Sequence, residues 1–278
     1  MYSLSRLFES LGNYAEQKRL LVHTLTLERE QRDDYRVALT LHQLSRVDLD
    51  LALYGEGIRQ AEEAFEIFKR LGKTKEQANC LDQLARSLLV DNQLDAAEDT
   101  VLRKIKLLPE KGQEFLLCQS HRLFGAIYRC KGEKEKSVHH FETALSITSP
   151  FDWQTELFWV HYAMAELFRD QGEFNNANAH VEKAKSPAAD NPYFLGRGME
   201  AQGLFWYQQQ RLEDARSEVL GAIEIFERLG AANDAGRCRG LLRKIEKATG
   251  SQLSGKLGSG GEFSSYENAP HPFNFVPS

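Results

Sequence analysis

Along this chain the same arrangement of small and bulky side chains returns at intervals of forty residues. A bulky apolar residue followed by a small one stands at Leu4-Ser5, Leu44-Ser45, Leu84-Ala85, Phe124-Gly125 and Met164-Ala165. A sixth copy, Gln202-Gly203, comes two residues early. Four positions after the first member come Phe8, Asp48, Leu88, Tyr128, Phe168 and Trp206, of which Asp48 alone is charged. A second series opens with Tyr14, Tyr54, Leu94, Lys134, Phe174 and Leu212, followed three residues later by Gln17, Gly57, Ala97, Ser137, Ala177 and Ala215. Seven further on stand Thr24, Ala64, Lys104, Ala144, Ala184 and Ala222, each three residues beyond Leu21, Ala61, Val101, Phe141, Val181 or Val219. Apolar and small residues three, four and seven apart mark one face of an α-helix. Each period therefore holds two helices, joined in the best-formed copy by a turn at Gly132. A lone helical hairpin cannot bury its apolar face, so such copies must stack into a solenoid.

The stretch Phe124 to Ala144 carries a resemblance to the tetratricopeptide repeat (TPR) family, in a variety of about forty residues. Within that family it is similar to the repeats of kinesin light chains, spindle-orientation adaptors and the sensor domains of signalling ATPases. The family's Leu-Gly pair matches Phe124-Gly125 and its Tyr matches Tyr128. Its Ala, Phe and Ala match Ser137, Phe141 and Ala144, and its helix-ending proline matches Pro109, with Pro150 and Pro187 close by in other units. The family's tryptophan is missing, and the turn glycine is absent where Ala52, Asn92 and Gln210 stand. The resemblance covers six units over residues 1 to 230. It implies an all-α, right-handed α-solenoid with a C-terminal capping helix over residues 1–250, and a non-catalytic scaffold or adaptor. Such a scaffold binds extended peptides in a concave groove lined by the first helices.

The first unit is short, with only Met1 to Ser10 for its first helix, and reads as a fragment excised from a longer protein. After Gly230 the segment AANDAGRCRGLLRKIEKATG repeats a first helix, with Cys238 and Leu242 where Cys80 and Leu84 stand. No second helix follows, so it reads as the cap, with Arg237, Arg239, Arg243 and Lys244 on a solvated outer face. Residues 251–263, SQLSGKLGSGGEF, have the composition of a flexible, engineered linker. The last fifteen residues carry Tyr266, Pro270, Pro272, Phe273, Phe275 and Pro277. Proline presets an extended backbone with little entropy left to lose on binding, so 264–278 reads as a fused peptide ligand, with a natural disordered tail as the other reading. The linker is long enough for docking in cis or in trans.

By the same resemblance the groove residues are His42, Gln43 and Arg46 in the second unit, and Asn79, Gln83 and Arg86 in the third. The fourth unit adds Gln119, Arg122 and Arg129, the fifth Trp159, Tyr162 and Arg169, and the sixth Arg197. Arg6, Arg46 and Arg86 share one repeat position. First helices about 8–10 Å apart would set one such Arg at every third residue of a peptide that rises about 3.3 Å per residue. Guanidinium groups suit carboxylate and carbonyl partners, or else pair internally with Asp50, Asp82 and Glu166. Trp159 and Tyr162 read either as core or as exposed rings that receive Phe and Pro side chains. A ligand-sensing regulatory domain of a larger signalling ATPase is the other functional reading.

A net charge of -5 argues against a protein built mainly to hold nucleic acid. No apolar run reaches the eighteen or so residues of a membrane span. Cys80, Cys118, Cys130 and Cys238 form no CxxC pair and read as free thiols of a reducing, cytoplasmic setting. No nucleotide-binding, HExxH or GxSxG motif occurs, and adjacent His139 and His140 point about 100° apart on a helix, so neither catalysis nor a metal or other cofactor is expected.

Overall fold

A computed structural model describes residues 14–108, 112–151, 153–185 and 191–255. The first helix of the first unit with Arg6, Pro109, the Pro187 loop and the 264–278 tail lie outside them. The described residues form twelve α-helices and no strand, divided between two compact units. The first holds α1 (Tyr14–Glu30), α2 (Asp34–Asp50), α3 (Tyr54–Arg70), α4 (Thr74–Val90), α5 (Leu94–Leu107), α6 (Glu114–Cys130) and α7 (Lys134–Thr148). The second holds α8 (Gln154–Asp170), α9 (Phe174–Lys185), α10 (Pro192–Gln208), α11 (Leu212–Arg228) and α12 (Ala232–Gly255). Thus α2, α4, α6, α8 and α10 are first helices of repeats, α1, α3, α5, α7, α9 and α11 are second helices, and α12 is the additional one. Helix α12 continues through Ser251–Gly255, residues that the sequence assigns to the linker.

Each hairpin among the described residues, and each of three connections between repeats, is closed by one residue with a left-handed backbone. These residues are Arg32, Ala52, Gly72, Asn92, Gly132, Gly172, Gln210 and Gly230, with φ between 58° and 75°. The left-handed residue donates its N–H to the carbonyl three residues back, and the next N–H reaches the carbonyl five back. Ala52 to Leu49 is 3.1 Å and Leu53 to Asp48 is 2.8 Å; Gly132 to Arg129 is 3.0 Å and Glu133 to Tyr128 is 2.9 Å. This is the Schellman closure of a helix C-terminus. The carbonyl of that last residue then accepts the first bond of the following helix, as Leu53 does from Gly57 at 3.1 Å. The turns at Ala52, Asn92 and Gln210 lack the family's glycine yet keep its conformation, which costs an L-residue about 1–2 kcal/mol.

Between the helices, small residues meet large ones. A Cβ added at Gly125 would stand 2.5 Å from the Phe141 ring, and one at Gly203 would stand 2.4 Å from Val219 Cγ2. Phe141 and Val219 are themselves fully buried. The Ser137 hydroxyl donates to the Gly125 carbonyl at 2.7 Å across the same contact. In the first unit α2 also touches α4 and α4 touches α6; in the second, α8 touches α10 and α10 touches α12. No such contact joins consecutive second helices among the described residues. Within each unit the first helices therefore form the closer-packed inner face and the second helices lie outside.

Replacing Ala52 or Gln210 by glycine removes backbone strain and should raise stability by about 0.5–1 kcal/mol each in urea unfolding. Gly125→Ala should lower it by about 1–3 kcal/mol because Phe141 has no space to yield.

Candidate functional site

On the inner face of the first unit, the repeat sets equivalent positions in register across α2, α4 and α6. Leu39, Asn79 and Gln119 form one row; His42, Asp82 and Arg122 form a second. Asp82 is the centre of a buried charge cluster. Arg86 Nε lies 3.4 Å from Asp82 Oδ2 one helical turn away, and Lys104 Nζ reaches Asp82 Oδ1 from α5. Lys104 is 0% exposed. Burial alone would raise the Asp82 carboxyl, but Lys104, Arg86 and Arg122 outweigh it and hold its pKa down to about 2. Burial, helped by the positive charges of Arg46 and Arg86, pushes His42 down to about 4, so it is neutral at pH 7.

The groove candidates of this unit separate into two layers. Arg86 and Arg122 are buried, 5% and 1% exposed. Gln83 is also buried, and its amide donates to the Ser45 carbonyl of α2 at 3.3 Å, tying one first helix to the next. The half-buried residues are His42, Gln43, Arg46, Asn79, Gln119 and Arg129. Lys104 had read only as a member of a small-residue series; its role depends on a partner twenty-two positions away. Asp48, the charged member of a bulky series, is fully buried and stands 2.6 Å from Lys18 of α1.

In the second unit the aromatic candidates lie deeper than expected. Trp159 is 0% exposed and packs edge-on against Phe158 and Phe194, with ring centroids 5.0 and 6.0 Å away. It is a core residue, which corrects the reading of it as an exposed receptor for Phe or Pro. Tyr162 remains half-buried, and burial pushes its hydroxyl up to about 12. The buried Arg197 guanidinium lies over the Trp159 and Tyr162 rings, at 5.8 and 5.4 Å. Arg197 Nη1 also donates to Glu200 at 2.8 Å. Glu200 in turn accepts from Arg237 of α12, at 2.9 Å from Nη2, and Arg237 bonds Asp234. Arg237 is therefore part of an inner ion network, not of an outer solvated face. Arg169 pairs with Asp170 at 3.1 Å.

Among the described residues, no three His, Cys, Asp or Glu side chains are grouped to hold a metal ion, and no helix is long and apolar enough to cross a membrane. Cys80, Cys118 and Cys238 are buried free thiols and Cys130 is an exposed one. Burial raises Cys80 to about 12, leaving it protonated.

No family model and no curated protein matches the sequence. Solved structures do match in fold. A Rap protein complexed with competence and sporulation factor superposes with a TM-score of 0.64 at 14% identity, over 89% of this chain and 74% of that one. The Rap conjugation gene regulator of plasmid pLS20, in complex with the Phr* peptide, gives 0.62 at 14% identity, over 93% and 75%. The nearly identical TPR-like repeats of a putative Podosopora anserina kinesin light chain give 0.51 at 16% identity, over 67% and 92%. The fold is an all-α solenoid of TPR-like repeats.

Lys104→Ala should destabilise the protein by about 1–3 kcal/mol, because the Asp82 carboxylate loses its direct hydrogen-bonded partner while Arg86 and Arg122 remain beside it. The Asp82 pKa should rise from about 2 in an NMR titration of the variant.

Proposed function

We propose that this chain is a protein-interaction scaffold that binds an extended peptide along the first-helix face of its first unit. The observation that carries the reading is the set of half-buried hydrogen-bonding side chains, His42 and Arg46 of α2 beside the row formed by Asn79 of α4 and Gln119 of α6. Beneath them the Asp82 cluster fixes the helices, so the row is preorganised and little side-chain ordering remains to oppose binding. The amides of Asn79 and Gln119 at repeat spacing, with the Arg46 guanidinium beside them, suit the carbonyls and carboxylates of a chain that rises about 3.3 Å per residue. The peptide complex of the pLS20 regulator supports this use of the fold, as a property of that protein.

The ligand we propose is the 264–278 segment, whose Tyr266, Pro270, Pro272, Phe273 and Phe275 supply a stiff backbone and large apolar side chains. It docks in cis or in trans. The buried free thiols suit a reducing compartment, in keeping with a cytoplasmic scaffold.

Calorimetric titration of a synthetic Ser264–Ser278 peptide into protein ending at Gly255 should show saturable one-to-one binding. Arg46→Ala and Gln119→Ala should each weaken it by about tenfold, equivalent to one lost charge-assisted or amide contact. Unchanged affinity in both variants, or no binding at high micromolar concentration, contradicts the reading.

A further inference from the structure

Two histidine pairs recur at one repeat position. His121 of α6 and His140 of α7 bring their Nδ1 atoms to 3.0 Å, and His161 of α8 and His180 of α9 bring theirs to 3.1 Å. Each member is forty residues from its counterpart, so one device has been built twice. The corresponding positions of the other repeats hold Leu41 with Gln60, Leu81 with Thr100, and Met199 with Glu218. In each pair one ring comes from the first helix and one from the second, so the contact joins the two helices of a single hairpin.

The rings meet nitrogen-first. Their centroids stand 5.2 and 5.3 Å apart, wider than the nitrogens by about two ring radii. This is the geometry of one hydrogen bond along a common axis. Nitrogens 3.0 and 3.1 Å apart are at hydrogen-bonding distance, and among the described residues no third His, Cys, Asp or Glu joins either pair to complete a metal site. Aromatic rings hold one partner of each pair in place. His140 packs against both Phe124 and Tyr128, at 4.9 and 5.3 Å, and His180 stacks on Phe168 at 5.4 Å.

We propose that these pairs are proton-sensitive clasps between the two helices of the fourth and of the fifth repeat. With both rings neutral, one donates Nδ1–H to the lone pair of the other. Adding one proton leaves the bond in place and makes it charge-assisted. Adding the second puts an N–H on both facing nitrogens, with no acceptor between them and two like charges about 3 Å apart. That state cannot keep the contact, and the two protons enter as coupled steps that belong to the pair.

The surroundings agree. Burial and then the charge of His121 and His139 push His140 down to about 4, against the opposing pull of Glu98 from α5 and with Lys136 of α7 adding to the fall. Burial and the charge of His139 lower His121. In the second pair, burial, then the charges of His180 and Lys183, push His161 down to about 4; burial and Lys183 do the same to His180. A histidine with a lowered folded pKa leaves the unfolded or opened state binding more protons. Stability is therefore fully present above pH 6.5 and is lost as pH falls towards 4.

The test is amide hydrogen exchange on the full chain, expressed as protection factors at pH 7 and pH 4.5. Protection in α7 and α9 should fall at least about tenfold more than in α3. His121→Leu with His140→Thr, and His161→Leu with His180→Thr, import the residue types of the third repeat and should remove that extra loss in their own hairpins. Equal loss in these variants and in the native chain overturns the proposal. An NMR titration of the native chain gives a second reading that needs no variant. Each pair should take up its second proton well below pH 6.5, together with loss of protection; two protons per pair near pH 6.5 with protection intact also overturn it.

Discussion

The left-handed residue that closes each hairpin sets the geometry on which the rest depends. Its two backward hydrogen bonds end one helix, and the next carbonyl starts the following one, so the connection has a fixed length and direction. Because positions 32, 52 and 72 all carry it, the four helices α1 to α4, each of seventeen residues, follow one another at a constant interval in the first unit. Equal helices keep equivalent side chains in register, and only then can rows such as His42-Asp82-Arg122 form across neighbouring repeats. The same register brings His121 to His140 and His161 to His180.

The inner face combines this regularity with deliberate departures from it. Asp82, Lys104, Arg86 and Arg122 form a charged layer under a face that is otherwise amide and cation. Buried ion clusters seldom add net stability over an apolar core, but removing one member is costly. In the first unit the charged layer fixes which side chains remain half-exposed. In the second, Arg197, Glu200, Asp234 and Arg237 close a network with equal numbers of positive and negative groups, braced by Trp159 and Tyr162.

Much of this was legible in the sequence. The forty-residue period fixed the helix pairs, and the Cys80–Cys238 correspondence identified α12 as an additional first helix. That same alignment sets Arg237 on the position of Asn79, a signal that it faces inward, although its basic neighbours suggested an outer face. Turns at Ala52, Asn92 and Gln210 were visible from their spacing and not from residue type. Lys104 and Asp48 were illegible because a buried charge is defined by its partner, and Asp82 and Lys18 come from other helices. For Trp159, helix register gave the direction of the side chain; the cover supplied by Phe158, Phe194 and Arg197 depends on tertiary packing. The histidine pairs were hidden because His121 lies nineteen residues from His140, while adjacent His139 drew attention to a geometry that cannot share a ligand.

The claim that the first helices form the working face is tested most directly by hydrogen exchange with and without the Ser264–Ser278 peptide, on protein ending at Gly255. The expected result is added protection confined to α2, α4 and α6, strongest near His42, Asn79 and Gln119. Protection confined to α3, α5 and α7, or none at saturating peptide, would contradict it.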